Sequence, residues 1–324
     1  MKNIFRISGI IYLLLSILCF YSCKKEIPTV TTSAITNISE STATCDGTVT
    51  DDGSRTIILR GVCWSTSPMP TVKNSQAYDE SYTTGGTGMG SFTCVITGLA
   101  TNTTYFARAF AINNAGTGYG NEISFTTLIL SDIDGNVYQV VTIGTQVWMV
   151  ENLKTTKYRN GDIIGTTIPA TLDISSENQP EYQWVYDGNE INVDSYGRLY
   201  TWYAATDSGK ICPTGWHVPS DAEWDTLIDY LGGALVAGCY LKEAGKEHWD
   251  SEIGNNASGF TALPGGMRLT DGIFYAIGWL GNWWSVTEVD TTIARARNLS
   301  SDEYVAFTAE YPKGLGVSIR CVKD

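Results

Sequence analysis

Few residues of this chain have the types and spacing needed for acid–base chemistry. There are only two histidines, His217 and His248, and neither belongs to an H-E-x-x-H helix. The sequence contains no G-x-S-x-G nucleophile elbow and no phosphate-binding P-loop. Carboxylates are plentiful, but their spacing does not show two of them facing one bond, as a glycosidase requires. We therefore predict structural roles for both histidines, no enzymatic activity and no cofactor.

Binding is the chemistry favoured by a group of aromatic and polar residues near the end of the chain. The group consists of Tyr275, Trp279, Asn282, Trp283, Trp284 and Glu288. Aromatic faces next to hydrogen-bonding groups suit stacking on a sugar or gripping a peptide. Neighbouring residues on a strand point to opposite faces, so at least one of Trp283 and Trp284 is expected in the core instead.

The cysteines do not have the spacing of a metal site. Beyond the first 23 residues there are six: Cys45, Cys63, Cys94, Cys212, Cys239 and Cys321. None is in a C-x-x-C pair, so we expect no zinc site and no other metal. An oxidising compartment permits disulfides, but the residues alone leave their pairing open.

The first residues have the composition of a secretory signal. Lys2 and Arg6 form a short basic start, residues 9–18 are nearly all apolar, and the small Ser22 precedes Cys23. This pattern predicts a signal peptide over residues 1–22. The apolar run is too short for a transmembrane helix, which needs about 20 residues.

The residues around Cys23 distinguish lipidation from plain secretion. Residues 20–25, FYSCKK, resemble a bacterial lipobox of the loose kind found in Bacteroidetes. The resemblance implies acylation of Cys23, a lipidated tether over residues 23–27 and an outer membrane lipoprotein that faces the cell surface or the periplasm. The net charge of −13 argues against nucleic acid and anionic lipid as partners, because both require basic patches.

Composition changes near residue 128 and indicates two domains. Residues 28–127 contain one of the ten tryptophans and read as short strands between turns, which predicts an all-β sandwich. The run from Leu99 to Tyr105 fits a tyrosine corner, with Tyr105, Ala107 and Ala109 facing the core. With GVCWS at residues 61–65 and the closing residues 120–127, the segment resembles a fibronectin type III module.

Residues 131–324 form the second predicted domain. Residues 132–136, DIDGN, could begin a calcium loop, but Ile143 occupies its twelfth position and a β-hairpin is favoured. Ser220 and Glu223 form a capping box, which begins a helix that ends at Gly232-Gly233. Its apolar face consists of Trp224, Leu227, Ile228 and Leu231. A second helix is predicted over residues 236–244.

Six ordered blocks of this domain resemble the Fibrobacter succinogenes major paralogous domain. They are WMVENL at 148–153, YGRLYTW at 196–202, CPTGWHVP at 212–219, SGFTALPGG at 258–266, WWS at 283–285 and SIRCV at 318–322. The resemblance implies an α+β fold similar to C-type lectin-like domains and formylglycine-generating enzymes. It also implies a Cys212–Cys321 disulfide, with Cys239 free and buried. The calcium-binding motifs of sugar-binding C-type lectins and a convincing active-site cysteine pair are absent, so neither activity is carried over.

Together these observations predict a non-catalytic binding or adhesion lipoprotein. The sandwich is expected to act as a spacer that presents the lectin-like domain to a glycan or a surface protein, since a fold alone does not give a function. The alternatives are a structural envelope component without a specific ligand and, third, a polysaccharide-active enzyme.

Overall fold

The computed structural model describes residues 26–73, 75–78 and 88–324, with only the backbone of residues 75–78 described. The predicted signal peptide and Cys23 lie outside these residues. None of the described helices combines the length and apolar character needed to cross a membrane. The chain divides into two compact units. The second unit begins at Thr127 and also includes residues Ser39–Ser41 and Thr97–Asn102.

The described residues of the first unit form eight strands. They are β1 (Thr29–Thr36), β2 (Ala43–Asp51), β3 (Leu59–Ser65), β4 (Ser75–Tyr78), β5 (Gly90–Ile96), β6 (Thr104–Asn113), β7 (Gly116–Tyr119) and β8 (Ile123–Thr126). One antiparallel sheet has the order β1-β2-β5, and the other has the order β4-β3-β6-β7, with β8 also paired to β6. The two sheets contact each other, so the predicted β-sandwich is present.

Alternating burial defines the core of the sandwich. Every second residue of β2 is buried from Ala43 to Val49, and Ala107 and Ala109 of β6 are fully buried. This is the alternation expected of strands with one face on the core. Tyr105 is only half-buried and stacks on Phe125, with the ring centroids 5.9 Å apart.

Three cysteines of the sandwich are reduced and buried. Cys45 and Cys94 are opposite each other on β2 and β5, while Cys63 lies on β3. Burial raises the pKa of Cys45 to about 12 and that of Cys63 to about 11. Because the thiolate is the reactive form, these thiols are inert at neutral pH.

The second unit mixes short helices with strands. Its strands are β9 (Leu130–Ser131), β10 (Val137–Tyr138), β11 (Val140–Ile143), β12 (Gln146–Met149), β13 (Gln183–Trp184), β14 (Leu199–Tyr200), β15 (Trp216–His217), β16 (Gly265–Arg268), β17 (Phe274–Ile277), β18 (Leu280–Glu288), β19 (Ile293–Ser300), β20 (Ala306–Pro312), β21 (Val317–Ser318) and β22 (Val322–Lys323). Its helices are α1 (Asn192–Tyr196), α2 (Trp202–Thr206), α3 (Asp221–Tyr230) and α4 (Ala234–Leu241), with a 3₁₀ turn at Tyr186–Gly188.

Two sheets form the frame of this unit. One has four strands in the order β11-β12-β22-β15, and the other has six in the order β13-β14-β21-β18-β19-β20. The pairs β9–β10 and β16–β17 are separate hairpins. The disulfide between Cys212 and Cys321 is present and closes a loop with a sequence separation of 109. Cys239 is free, as expected, but it is partly exposed rather than buried.

Helix α3 begins as its sequence predicts. The hydroxyl of Ser220 accepts the backbone N–H of Glu223, and the Glu223 carboxylate accepts the backbone N–H of Ser220. The prediction for α4 was displaced, because this helix spans Ala234–Leu241 rather than 236–244. It starts directly after Gly233 and ends where Lys242 becomes extended and pairs with Ala262.

The DIDGN segment is a hairpin, as predicted. The carboxylate of Asp132 accepts the backbone N–H groups of Asp134 and Asn136, each at 3.0 Å, and the hydroxyl of Tyr138 at 2.6 Å. The Asp134 carboxylate accepts the backbone N–H of Thr156 and forms an ion pair with Lys157 at 2.8 Å. Both carboxylates therefore serve protein donors.

Candidate functional site

The structure separates the six predicted ligand-contacting residues into exposed and buried ones. Tyr275, Trp279 and Glu288 are exposed. Asn282, Trp283 and Trp284 are at most 1% exposed. These three were wrong as surface contacts, because the sheet that carries them is covered on both sides.

The two adjacent tryptophans of β18 point to opposite faces of the six-stranded sheet, and both faces are core. Trp283 packs with Trp224 and Phe260 on the side of helix α3. Trp284 belongs to the other core cluster, and its indole N–H donates to the carbonyl of Tyr200 at 2.7 Å. Alternation along the strand was predicted correctly, but both faces are buried.

Asn282 is also fully engaged within the protein. Its side-chain oxygen accepts from Asn298 at 2.7 Å and from the hydroxyl of Tyr311 at 3.0 Å. Its amide nitrogen donates to the carbonyl of Gly266 at 3.3 Å. The side chain is a buried structural connector between strands.

A cavity of about 470 Å³ opens beside helix α2 and the disulfide. Its floor is made of buried apolar side chains of α2, β15 and the intervening loop: Trp202, Ala205, Ile211, Trp216 and Val218. Polar groups stand around it: Arg159, Asp207, Ser208, Lys210, His217 and Asp324. A cavity of this size with an apolar floor and a few polar groups is typical of a small-ligand site.

His217 at this cavity is held by two carboxylates. Its Nδ1 lies 2.6 Å from Asp324 and its Nε2 lies 2.7 Å from Glu223. Burial lowers the pKa of His217, but the hydrogen bonds to Asp324 and Glu223 outweigh burial and raise it overall. Because only the protonated ring can donate from both nitrogens, this arrangement favours the charged ring, in which neither nitrogen of His217 can act as a base.

His248 occupies a different place in the fold. Its Nδ1 lies 2.9 Å from a carboxylate oxygen of Glu243, and its ring meets the edge of Tyr196. Glu243, Glu247 and His248 each place one ligand-type atom within 4.8 Å of the others, so this group could hold a metal ion. The sequence did not predict that cluster.

A second cavity, of about 410 Å³, borders the same segment from Trp202 to Ser208, and the two cavities share Trp202, Thr206, Asp207 and Ser208. Tyr203 of this segment also lines the second cavity, and the rest of its lining is polar: Gln179, Glu181, Glu288, Thr291 and Lys313. Lys313 is only 3% exposed, lies 3.3 Å from Glu288 and stands 4.3 Å from the centre of the Trp202 ring. Glu288, one of the predicted binding residues, thus borders this second cavity.

A protein-family model matches the unit that contains these cavities. The Fibrobacter succinogenes major domain matches residues 141–323. The chain belongs to this family. The match contains both sheets, the disulfide and every residue named at the two cavities except Asp324, so the candidate site lies within the Fibrobacter succinogenes major domain.

Solved structures similar to the chain include fibronectin type III domains. A human fibronectin type III domain from KIAA0970 is 16% identical with a TM-score of 0.22, over 31% of this chain and 73% of that one. The FN1–FN3 domains of chicken CNTN1 are 16% identical with a TM-score of 0.22, over 32% and 34%. The sensor domain of the anti-sigma factor RsgI4 of Pseudobacteroides cellulosolvens is 15% identical with a TM-score of 0.22, over 32% and 96%. No curated protein matches the chain.

Sequence reasoning missed most residues of the two cavities, and one signal could have indicated them. The block YGRLYTW ends at Trp202, and Asp207 and Ser208 follow α2 in a polar turn. Lys313 is distant in sequence and reaches Trp202 only through the return of the chain after β20. No local pattern distinguishes it from a solvated surface lysine.

Proposed function

We propose that this protein is a non-catalytic, lipid-anchored binding protein of the cell envelope. Its Fibrobacter succinogenes major domain, a lectin-like head in this proposal, binds a glycan or a surface protein. The observation that carries the proposal is the pair of cavities that share the segment from Trp202 to Ser208. They combine an apolar floor with polar groups, which is the composition that binding sites use.

The arrangement of the histidines supports binding rather than catalysis. Both ring nitrogens of His217 face carboxylates, and Nδ1 of His248 faces Glu243. A general base needs a ring nitrogen that can reach the proton it removes. The ring that borders the first cavity therefore serves as a structural clamp.

Anchoring through Cys23 and the spacer role of a fibronectin type III-like sandwich complete the proposal. The sandwich is small and buries its three cysteines as inert thiols, which is consistent with a structural module. Membrane fractionation and fatty-acid labelling of the wild type and of Cys23→Ala test the anchor. Loss of both label and membrane association is expected in the variant, and protease treatment of intact cells then reports which side displays the head.

Binding is tested with the purified full chain on a glycan array and on immobilised envelope proteins. The proposal expects saturable binding to at least one glycan or one envelope protein. Absence of binding in both formats would contradict it and favour a purely structural envelope component. Release of reducing sugar from a polysaccharide would instead indicate an enzyme.

A further inference from the structure

The buried ammonium of Lys313 is the most unusual polar group in the two cavities. Its side chain is 3% exposed, and it borders the second cavity. Within the part of the chain that the structure describes, its one polar contact is the exposed carboxylate of Glu288 at 3.3 Å, and its other neighbour is the Trp202 ring. An ammonium has three N–H donors, so Lys313 keeps donor capacity that the protein does not use.

Carboxylates outnumber cations around this cavity. Glu181, Asp207 and Glu288 border it, and Lys313 is the one cation among its lining residues. An acidic ligand would meet a net negative wall, and the whole chain carries a net charge of −13. A cationic ligand such as an ammonium brings donors but no acceptor for the unused N–H groups of Lys313. Charge thus disfavours an acidic ligand, the donors of Lys313 disfavour a cationic one, and a neutral ligand remains.

A neutral ligand with hydroxyl groups can form hydrogen bonds with both Lys313 and Glu288. A hydroxyl can accept from the Lys313 ammonium, and a neighbouring hydroxyl can donate to the Glu288 carboxylate. Hydrogen bonds to charged groups are stronger than those between neutral ones. The half-buried ring of Tyr203 and the ring of Trp202 line the cavity and supply apolar surface for the C–H face of a sugar ring.

We propose that the second cavity is a subsite for a neutral saccharide, in which Lys313 and Glu288 bind adjacent hydroxyls of one sugar ring. The first cavity, which borders the same segment from Trp202 to Ser208, binds the next sugar residues of the ligand. The ligand is therefore an oligosaccharide. This inference rests on the proposed binding function and names its ligand class and two of its residues.

The test is calorimetric titration of the purified full chain with neutral tetrasaccharides of glucan, mannan and xylan, and with an acidic tetrasaccharide of galacturonate. Variants are Glu288→Gln and Lys313→Met, with Glu310→Gln as the matched control, because Glu310 is an exposed carboxylate on β20 away from the cavity. At least one neutral tetrasaccharide is expected to bind. Glu288→Gln should weaken it about tenfold, as expected for losing a hydrogen bond to a charged group, and Glu310→Gln should not.

The outcomes separate this inference from the general function. Exclusive binding of the galacturonate probe overturns the neutral class, and neutral binding that Glu288→Gln leaves unchanged overturns the site. Binding to an envelope protein with no saccharide binding overturns the inference and leaves the proposed function standing. No binding of any kind overturns both. Because Glu288 is exposed and Gln keeps an oxygen acceptor for Lys313, Glu288→Gln is expected to fold even where Lys313→Met does not.

Discussion

The side chain of Asn152 accepts hydrogen bonds from two buried residues of the second unit. Replacing Asn152 tests how much these hydrogen bonds stabilise the core. Its side-chain oxygen accepts the indole N–H of Trp283 at 2.8 Å and the guanidinium of Arg320 at 2.7 Å. Arg320 is fully buried, and burial lowers its pKa to about 9. Its other polar contacts are the carbonyls of Phe260 and Thr261. Among the described residues, no carboxylate forms an ion pair with this guanidinium.

Asn152→Leu keeps the approximate volume of the side chain and removes the shared acceptor. An unsatisfied buried neutral donor costs about 1–3 kcal/mol, and loss of a hydrogen bond to a charged group costs about 1.5–3 kcal/mol. The expected loss of unfolding free energy is therefore about 4 kcal/mol. Asn160→Leu is the control, because Asn160 is exposed and, among the described residues, its side chain bonds only to nearby Asp162.

Urea unfolding followed by tryptophan fluorescence measures this loss. Nine of the ten tryptophans lie after residue 128, so the signal reports the unit that contains Asn152. The double variant Asn152→Leu/Arg320→Met should be more stable than the sum of the single losses predicts, because it removes the stranded charge. A loss below about 1 kcal/mol, or strict additivity, would refute the reasoning.

Three further outcomes are expected. Replacing Cys212 and Cys321 by Ser should lower the unfolding free energy by up to about 5 kcal/mol, because the chain-entropy model gives this value for a loop of 109 residues. Equal urea midpoints of the oxidised wild type and the variant would contradict this expectation. Burial opposes the low pKa of Asp134, but hydrogen bonds from Lys157 and neighbouring donors lower this pKa to about 2. Asp134→Asn should therefore remove about 2 kcal/mol of unfolding free energy, which the wild type loses only as pH falls from about 4 to 2. Thermal unfolding of both proteins against pH measures this difference. The raised pKa of His217 predicts a stabilisation of the folded protein that is fully present below the unfolded pKa of about 6.5 and is lost as pH rises through the folded pKa. The Tm difference between the wild type and His217→Gln should shrink over that rise in pH. A difference that grows would contradict the role of His217 between its two carboxylates.

Several elements could be predicted from the sequence because their causes are local. Helix α3 follows from the Ser220–Glu223 capping box and an apolar period, and the hairpin at Asp132 follows from turn residues before an alternating strand. The disulfide came from the resemblance to the family rather than from spacing. Its two cysteines lie far apart in sequence, and spacing alone left the pairing open.

Burial on both faces of a sheet could not be predicted from one strand. The alternation of Trp283 and Trp284 is local, and it predicted that at least one of them lies in the core. Whether the other face meets water depends on which elements cover it. Helix α3 lies against the face of Trp283, and α2 lies near that of Trp284, where Trp202 donates to Ser285 at 2.9 Å. Asn282, Trp283 and Trp284, which were predicted to contact a ligand, therefore lie in the core.

The candidate site shows the same division between local and long-range causes. The sequence by itself determined the helix and hairpin positions, the strand alternation and the aromatic-rich composition of the second unit. Only the tertiary structure decided which polar groups meet in a cavity, because Glu181, Trp202 and Lys313 come from segments that are distant along the chain. A buried ammonium has no local sequence signature, since the same lysine in a solvated loop would look identical. Its role follows from what packs around it.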